Sequence, residues 1–571
     1  MLANFLLFQF VLSVLAVLGR LPIASYALTD TMLFMDTKDV ESVWGRVRPV
    51  ANPAQPIPML ACPPENYSSG ATVTASFVVL DNAMESPSQD WQTGNAIYEI
   101  YVVVGRGGEP FVAGDDQPID REEGSLVEVK RYTTSDFKTY SSPVVVISLA
   151  KVKDKGWTVK SIDRDSATGQ YIMLASGEGG THAFSTDEPP TKPNSFKPTT
   201  GSLDKANFND HDDTNLIFSL APGVDEPWVD MQIMYEDVSI TMPKTYSKKK
   251  YCDNLGDTYR RVVSVRTSKT GEKWTQDAGC KDQPQVDEHC KHFDLSKMIR
   301  PVVDSDPPEL EFYRVRPFYL SGTRRLAAHA LLYSPAPTQL ATVKGYGRQP
   351  PSCKSDGCCH GPHMYEEWWI GPNDGDPTNI SEWRRPFYDT HAFPHDIWAM
   401  SQPLVYNNSH IWVDNGEVWG LPLYRLAGLY TDSNGEIVTS AFAMPGEALW
   451  LNAQALWEGG NHVGGCDEGC AAYIMVELLN ATSSKRQIPI PGYERRNCIM
   501  VNVDSLQIPL VWKKGGLMHN TPQNGQLNTE ESRTGEELVG QPVKVKIYFR
   551  HATIYAIGTK STLDKAVRPA S

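Results

Sequence analysis

The clearest structural signal in the sequence is VKRYTTSDFKTY, residues 129–140. Its β-branched and aromatic residues predict a strand, Ser135 and Asp136 predict a turn, and Tyr140 begins the next strand. A similar unit lies at RVVSVRTSKTGEKW, residues 261–274. Units of this kind favour a β-propeller, because a small four-stranded sheet buries its faces only against neighbouring blades. A series of unrelated hairpins is the alternative interpretation.

Short strand-like runs continue along the chain, for example at 72–80, 97–104 and 171–174, and they are bounded by Gly, Pro, Asn and Asp. From about residue 425 the runs become more compact, as at 449–452, 472–479 and 542–549, which predicts a small antiparallel sandwich. We therefore predict an all-β protein with a propeller over 28–425 and a β-sandwich over 426–571.

Residues 1–27 contain an apolar run followed by Arg20 and the small residues Ser25 and Ala27. This pattern is typical of a cleaved signal peptide, with a retained anchor as the alternative, and no later segment has the roughly 20 apolar residues of a membrane span. We expect a secreted, extracellular protein. Four sequons then become candidate glycosylation sites, at Asn66, Asn379, Asn407 and Asn480.

The ten cysteines would meet an oxidising compartment, and their even number fits disulfides. Three groups bracket polar loops and are interpreted as loop staples: Cys252, Cys280 and Cys290; Cys353, Cys358 and Cys359; Cys466 and Cys470. A zinc site around Cys353 and His360 is the competing interpretation, but the adjacent Cys358 and Cys359 do not have the usual ligand spacing. We predict no metal and no cofactor.

The formal charge is −15 over 571 residues, with 68 acidic and 53 Lys or Arg residues. Phosphate binding depends on clusters of Lys and Arg, so this composition argues against a nucleic-acid partner. No G-x-S-x-G elbow, phosphate-binding P-loop or H-E-x-x-H pair is present in the sequence.

The C-terminal string ELVGQPVKVKIYFRHATIY, residues 537–555, resembles the strands that end the appended β-sandwich of secreted sialidase-like or invertase-like propeller proteins. The segments DTNLIF, residues 213–218, and EFYRVRPFY, residues 311–319, are similar to their propeller half. The resemblance implies a five-bladed propeller of the kind found in glycoside hydrolases. The Asn-Asp-Pro-Asn-Gly, Arg-Asp-Pro and Glu-Cys motifs of invertases are absent, so their catalytic roles are not transferred.

Glycoside hydrolysis needs two carboxyl groups across the scissile bond, and one of them is kept protonated by its surroundings. In a propeller these groups come from the innermost strands, so acids within or at the ends of apolar strands are the candidates. They are Asp81, Asp163, Asp213, Glu311 and Glu366, where strand alternation leaves the choice between Glu366 and Glu367 open. The aspartates have an alternative role as turn residues that cap the local backbone.

Substrate-binding candidates combine cationic, imidazole and aromatic side chains: Arg261, Arg316, His363, Trp368, Trp369 and His391. Arg316 shares a face with Arg314 and would bind a carboxylate or sulfate, or instead form a salt bridge to Glu309 or Glu311. Trp368 and Trp369 would stack on sugar rings, or instead form core between blades.

The resemblance to propeller proteins leaves two functions open. The first is a secreted glycoside hydrolase that acts on a poly- or oligosaccharide. The second is a non-catalytic extracellular protein that binds a glycan or a protein through the same fold.

Overall fold

The computed structural model describes most of the strands and many of their connections. Its described residues are 26–28, 31–67, 71–80, 96–106, 126–150, 157–165, 168–177, 180–187, 190–202, 216–219, 228–237, 259–270, 298–299, 311–320, 323, 325–334, 363–388, 390–393, 402–414, 416–456, 472–482, 487–501, 503–513 and 532–562. The all-β prediction is confirmed, since strands dominate and the named helical segments are short 3-10 turns such as Ile380–Glu382.

The strands fall into three stretches of the chain. The N-terminal ones are β1 (Tyr26–Ala27), β2 (Met32–Leu33), β3 (Ser42–Gly45) and β4 (Arg48–Ala51). The middle ones are β5 (Gln55–Pro56), β6 (Thr72–Leu80), β7 (Ala96–Arg106), β8 (Leu126–Thr134), β9 (Val144–Ala150), β10 (Thr158–Arg164), β11 (Tyr171–Gly177), β12 (Gly180–Thr186), β13 (Lys197–Ser202), β14 (Leu216–Ser219), β15 (Trp228–Asp237), β16 (Tyr259–Ser268), β17 (Met298–Ile299), β18 (Glu311–Tyr319), β19 (Leu326–Ser334), β20 (His363–Ile370), β21 (Leu404–Tyr406), β22 (Ser409–Asp414) and β23 (Glu417–Pro422). The C-terminal ones are β24 (Ala427–Thr431), β25 (Gly435–Val438), β26 (Phe442–Ala443), β27 (Leu449–Ala455), β28 (Tyr473–Asn480), β29 (Ile499–Val501), β30 (Val503–Pro509), β31 (Trp512–Lys513), β32 (Ser532–Arg533), β33 (Pro542–Arg550) and β34 (Ala552–Thr559).

The middle strands, in the unit that contains the described residues of Ala51–Leu426, form five small antiparallel sheets. Sheet 1 is β6–β9, sheet 2 is β10–β13, sheet 3 is β14–β17, sheet 4 is β18–β20, and sheet 5 has the order β21-β22-β23-β5. The early strand β5 thus completes the last sheet, through pairing of Pro56 with Trp419. This pairing fixes the start of the unit to its end.

Hydrophobic contacts run from each of these sheets to the next and return to the first. Sheets 1 and 2 share a buried cluster with Tyr101 and Met173, sheets 2 and 3 one with Leu174 and Trp228, sheets 3 and 4 one with Val263 and Phe312, and sheets 5 and 1 one with Ile411 and Ile100. Sheets 4 and 5 meet through the rings of Trp368 and Trp412, whose centroids lie 5.3 Å apart. Each sheet therefore buries its two faces against two neighbours.

The turn in residues 129–140 shows why these sequences form hairpins. The Asp136 carboxylate Oδ1 accepts hydrogen bonds from the backbone N–H groups of Lys138 and Thr139, at 2.8 and 2.9 Å. These bonds hold the pKa of Asp136 at about 2, below its usual value. The side chain therefore replaces backbone partners within the turn, as the sequence predicts.

The other unit contains the described residues of Met1–Val50 and Ala427–Lys565. It has a seven-stranded sheet, with β1-β26-β33-β25-β3 plus β28 and β29, and a six-stranded sheet, with β30-β27-β34-β24-β4 plus β2. Ile437, Val476 and Ile547 of the first sheet share one core with Leu451 and Ile554 of the second. Burial alternates strictly along β33, as the two-residue period of a half-buried strand requires.

The N-terminal strands β1–β4 pair within this unit, which the sequence did not predict. Strand β3 pairs with β25, and β1 pairs with β26 in parallel. Residues 28–50 therefore contribute to the two-sheet unit, although the predicted domain bounds of 28–425 and 426–571 assign them to the propeller. Of the predicted signal peptide, only Tyr26 and Ala27 lie among the described residues.

Within the described part of the chain, no helix combines the length and the apolar character needed to cross a membrane.

Candidate functional site

Polar side chains that lie on, or just before, the first strands of four of the five sheets meet one another. Ser76 on β6 donates to the backbone carbonyl of Gln402, just before β21, at 2.9 Å. The Gln402 amide donates to Asp163 Oδ2 on β10 at 3.0 Å, and Arg316 on β18 donates from Nη1 to Ser161 Oγ at 3.3 Å. We call Ser76, Ser161, Asp163, Arg316 and Gln402 the central cluster.

Asp163 and Arg316, both predicted from the sequence, are brought together in this cluster. They are 3% and 1% exposed. Burial lowers the pKa of Arg316, and the nearby Asp163 carboxylate opposes that shift by favouring the charged guanidinium. Asp163 Oδ1 also accepts the backbone N–H of Arg164 at 2.7 Å. Two hydrogen-bond donors and a nearby guanidinium thus surround the Asp163 carboxylate.

Glu366, the other predicted carboxylate with a described side chain, pairs with a histidine. His329 Nε2 lies 3.2 Å from Glu366 Oε2, and both residues are buried. Arg316 is directly opposite His329, and His329 is directly opposite Trp368, two residues after Glu366. Residues in such register point to the same side of a sheet, so Glu366, His329 and Arg316 share one face of sheet 4.

Glu367 faces the side of sheet 4 opposite to Glu366 and Arg316. Arg385 Nε and Nη2 donate to its two carboxylate oxygens at 2.8 and 2.9 Å, and Trp369 Nε1 lies 3.4 Å from Oε2. The Arg385 guanidinium also lies over the ring of Phe312, 5.6 Å from its centroid. This buried, bidentate ion pair joins β20 to the segment that carries Arg385. Glu366 is the one of the two adjacent glutamates that lies on the same face as Arg316.

The predicted aromatic residues lie in the core. Trp368 is fully buried, packs on Phe393 and Trp412, and donates from Nε1 to the carbonyl of Asn52 at 3.0 Å. Trp369 is also fully buried and packs on Phe312. In this structure neither ring has a face exposed for stacking on a sugar, and both have the inter-sheet core role that was the alternative interpretation.

His410 on β22 is a further buried residue beside this aromatic cluster. Its ring centroid lies 6.2 Å from that of Trp412 and 6.4 Å from that of Phe318. Burial lowers the pKa of His410 to about 4, so the imidazole is neutral at pH 7. Among the described residues, no hydrogen-bond partner is present for either ring nitrogen.

The remaining predicted residues contribute less to this geometry. His391 forms an isolated β-bridge with Glu367 at the edge of sheet 4. Three predicted residues lie in named strands, Arg261 in β16, Glu311 in β18 and His363 in β20, but the structure does not describe their side chains. Asp81 and Asp213 lie outside the described residues altogether.

Sequence reasoning missed His329, Gln402 and Glu99. Glu99 is fully buried between sheets 1 and 2, where its Oε2 accepts from the hydroxyls of Tyr101 and Tyr171 at 2.9 and 3.0 Å, and Arg131 pairs with Oε1. A single polar residue inside an apolar strand, as in LAAHALLY (326–333) and IYEIYVVV (97–104), was the available signal. Gln402 has no such signal, because it precedes its strand.

The described sequons and cysteines give a mixed result. Asn66, Asn407 and Asn480 are exposed and Asn379 is partly exposed.

Cys62 and Cys498 are free thiols, and burial raises the pKa of each to about 12. The disulfide pairing expected from the even cysteine count therefore does not include these two; the eight cysteines interpreted as loop staples lie outside the described residues. No group of three or more metal-ligating side chains occurs within the described ranges.

No family model and no curated protein matches the chain. Among solved structures, it is similar to a protein titled glycoside hydrolase, with 9% identity and a TM-score of 0.34 over 67% of this chain and 91% of that one. It is similar to the Bombyx mori GH32 beta-fructofuranosidase BmSUC1, with 10% identity and a TM-score of 0.31 over 81% and 89%. A Trypanosoma rangeli sialidase in complex with sialic acid matches with 8% identity and a TM-score of 0.25 over 95% and 97%. At these TM-scores the similarities carry no argument about activity.

Proposed function

We propose that this protein is a carbohydrate-active hydrolase that cleaves a glycosidic bond with a pair of carboxyl groups, Asp163 and Glu366. The observation that carries the proposal is that these two acids, predicted from separate parts of the sequence, both lie close to Arg316: Asp163 interacts with its guanidinium, and Glu366 shares its face of sheet 4. Asp163 belongs to the central cluster with Arg316, and Glu366 pairs with His329 directly beside Arg316. Two carboxyl groups in different environments are what glycoside hydrolysis requires.

The environments assign a role to each acid. Asp163 lies next to a guanidinium and accepts from the Gln402 amide, so it is the ionised carboxylate that acts as nucleophile or base. Glu366 is 2% exposed and lies within hydrogen-bond distance of an imidazole that can exchange a proton with it, so it is the proton donor. Arg316 also supplies positive charge for an anionic group on the substrate.

Entry of the substrate requires the side chains around these acids to separate, because both are closed from solvent in this structure. That burial is also the observation favouring the second candidate function, a non-catalytic glycan- or protein-binding protein. In that case Asp163 and Glu366 have only the structural role of joining sheets.

The test is a hydrolysis screen of the purified protein on plant, algal and microbial polysaccharides, with Asp163→Asn and Glu366→Gln beside wild type. The matched control is Glu382→Gln, which changes an exposed carboxylate of the same unit. We expect the wild type and the control to release sugar, and each of the two variants to lose at least a hundredfold in rate while circular dichroism shows that it is folded. Absence of release by wild type, or equal rates in all four proteins, would overturn the hydrolase proposal.

We further propose that the five sheets are the blades of a five-bladed propeller and that the two-sheet unit is its appended sandwich. The closed series of inter-sheet clusters and the shared core of the two sheets support this assignment. We also propose export through a signal peptide at 1–27 and glycosylation at Asn66, Asn379, Asn407 and Asn480. Mass spectrometry of the protein secreted by a eukaryotic host, before and after glycosidase treatment, tests both.

A further inference from the structure

The outer face of the seven-stranded sheet carries an exposed tryptophan in register with charged residues. Trp44 on β3 is directly opposite Glu436 on β25, and Glu436 is directly opposite Tyr548 on β33. The next residues along, Val43, Ile437 and Ile547, point the other way and pack with the core. Trp44, Glu436 and Tyr548 therefore project from one side of the sheet, and Trp44 and Tyr548 lie about 10 Å apart across two strand spacings.

Trp44 differs from the tryptophans of the core. It is 63% exposed, whereas six others are almost completely buried: Trp228, Trp368, Trp369, Trp412, Trp419 and Trp512. It lies on β3, at the end of the strand order β1-β26-β33-β25-β3, where β25 is the one neighbouring strand among the described residues. A large flat ring on a sheet edge provides an apolar surface, with its position set by backbone pairing to β25.

The charges beside Trp44 are paired with one another. Lys546 Nζ lies 2.8 Å from Glu436 Oε2, and Lys544 Nζ lies 2.5 Å from Glu41 Oε1. The hydroxyl of Tyr548 donates to Glu477 Oε1 at 2.6 Å. The face thus offers carboxylate acceptors and ammonium donors in neutralised pairs, so its charge does not favour a strongly charged ligand over a neutral one.

Tyr548 is held rigidly within this network. The Arg495 guanidinium and the Lys546 ammonium each lie 4.6 Å from the centroid of its ring. The same ammonium donates to the Gln487 side-chain oxygen at 3.3 Å. Because these groups hold one another in place, a ligand that hydrogen-bonds to them loses little further side-chain freedom on binding.

From these contacts we propose that the face around Trp44, Glu436, Lys546 and Tyr548 is a second carbohydrate-binding site, specific for a neutral polysaccharide chain. The C–H face of one sugar ring stacks on Trp44, and hydroxyls of the neighbouring ring donate to Glu436 and accept from Lys546. The paired charges select a neutral chain, because an anionic one meets Glu436 and Glu477 as well as the lysines. This site does not depend on the proposed hydrolysis, since its residues belong to the other structural unit.

The test is affinity electrophoresis of the whole protein in native gels that contain barley β-glucan, xyloglucan, inulin or polygalacturonate. We expect at least one neutral polysaccharide to retard the wild type and Trp44→Ala to bind it at least tenfold more weakly. Glu436→Gln, which keeps the shape but removes the charge, should weaken binding by about threefold. The matched control is Tyr388→Ala, which removes another exposed aromatic ring, 38% exposed in wild type, and should bind as wild type does.

Three results would overturn the proposal: no retardation by any of the neutral polysaccharides, equal retardation of Trp44→Ala and wild type, or retardation by polygalacturonate alone. Sedimentation velocity tests the alternative that Trp44 forms a contact between two copies of the chain, because it measures whether the protein is a monomer or a dimer. A wild-type dimer that becomes monomeric in Trp44→Ala, without a change in retardation, also counts against it. Asp163→Asn separates this proposal from the catalytic one, because it should keep the retardation while losing hydrolysis.

Discussion

The two faces of sheet 4 carry adjacent acids with opposite environments. Glu367 is 1% exposed and accepts hydrogen bonds from two nitrogens of the Arg385 guanidinium. It lies on the face that packs in the core shared with sheet 3. Glu366, one residue earlier and 2% exposed, meets the imidazole of His329 on the face that also carries Arg316. Equal burial therefore accompanies a permanently charged partner on one face and a titratable partner on the other.

This difference is the basis for proposing Glu366, and not Glu367, as the reactive acid. A guanidinium stays protonated throughout the accessible pH range, so Arg385 stabilises Glu367 only as a carboxylate. An imidazole is charged only when it is protonated, so the contact between His329 and Glu366 is not a fixed ion pair like that of Arg385 and Glu367. Burial alone did not distinguish the two residues; the chemistry of the partner did.

The largest effect is expected on the Glu367 face. Arg385→Met leaves a buried carboxylate without its cation and should lower the free energy of unfolding by about 3–5 kcal/mol. Urea denaturation followed by tryptophan fluorescence measures this loss. The double variant Arg385→Met, Glu367→Met removes both charges and should recover most of it; a loss below about 1 kcal/mol in the single variant would contradict a structural role for the pair.

The Glu366 face should respond to acid through His410, which lies beside its aromatic residues. Burial lowers the pKa of this imidazole from about 6.5 to about 4, so between these values the unfolded chain binds the proton and the folded one does not. The stability contributed by neutral His410 is fully present above pH 6.5 and decreases as the pH falls towards 4, by about 3 kcal/mol in total.

Unfolding measured from pH 7 to 4 in wild type and His410→Phe isolates this contribution, because other acids titrate in both proteins. The variant should lose less stability than wild type over this range. Parallel curves would show that His410 is accessible to protons in the folded protein.

The smallest effect on stability is expected for Glu366→Gln, about 1–2 kcal/mol, because the amide keeps the shape of the side chain beside His329 and only the charge is lost. The same change should remove hydrolysis if the proposed function holds. Measurement of both quantities in Glu366→Gln and Glu367→Gln sharpens the comparison. A larger stability loss for Glu366→Gln than for Glu367→Gln would reverse the assignment of structural and reactive acid.

Strand content and the two-residue period were predictable because they are local. The alternation in residues 542–549 and the Asp136 turn depend on neighbours a few positions away, and both occur as the sequence indicates. Pairing of residues 42–45 with 435–438 depends on a core formed nearly 400 residues later, so no local pattern at β3 predicts its partner.

The candidate site was predictable only in part, for the same reason. Asp163, Glu366 and Arg316 could be selected as polar residues at apolar strands, but their partners Gln402, Ser161 and His329 come from distant segments. Trp368 and Trp369 illustrate the converse, because an aromatic pair beside acids fits both a sugar subsite and a core. Only the tertiary neighbours that cover Trp368, namely Trp412 of the neighbouring sheet and Phe393 from the segment after β20, distinguish the two.

The sequence by itself determined that this protein is built of short strands joined by Asp- and Gly-containing turns, because side-chain alternation and turn chemistry operate within a few residues. The tertiary structure alone decided which strands share a sheet, that β5 closes the fifth sheet, and which of two adjacent glutamates faces Arg316. These outcomes depend on contacts between residues that are from a dozen to several hundred positions apart. They follow from burying both faces of each small sheet at once, which no single segment can achieve.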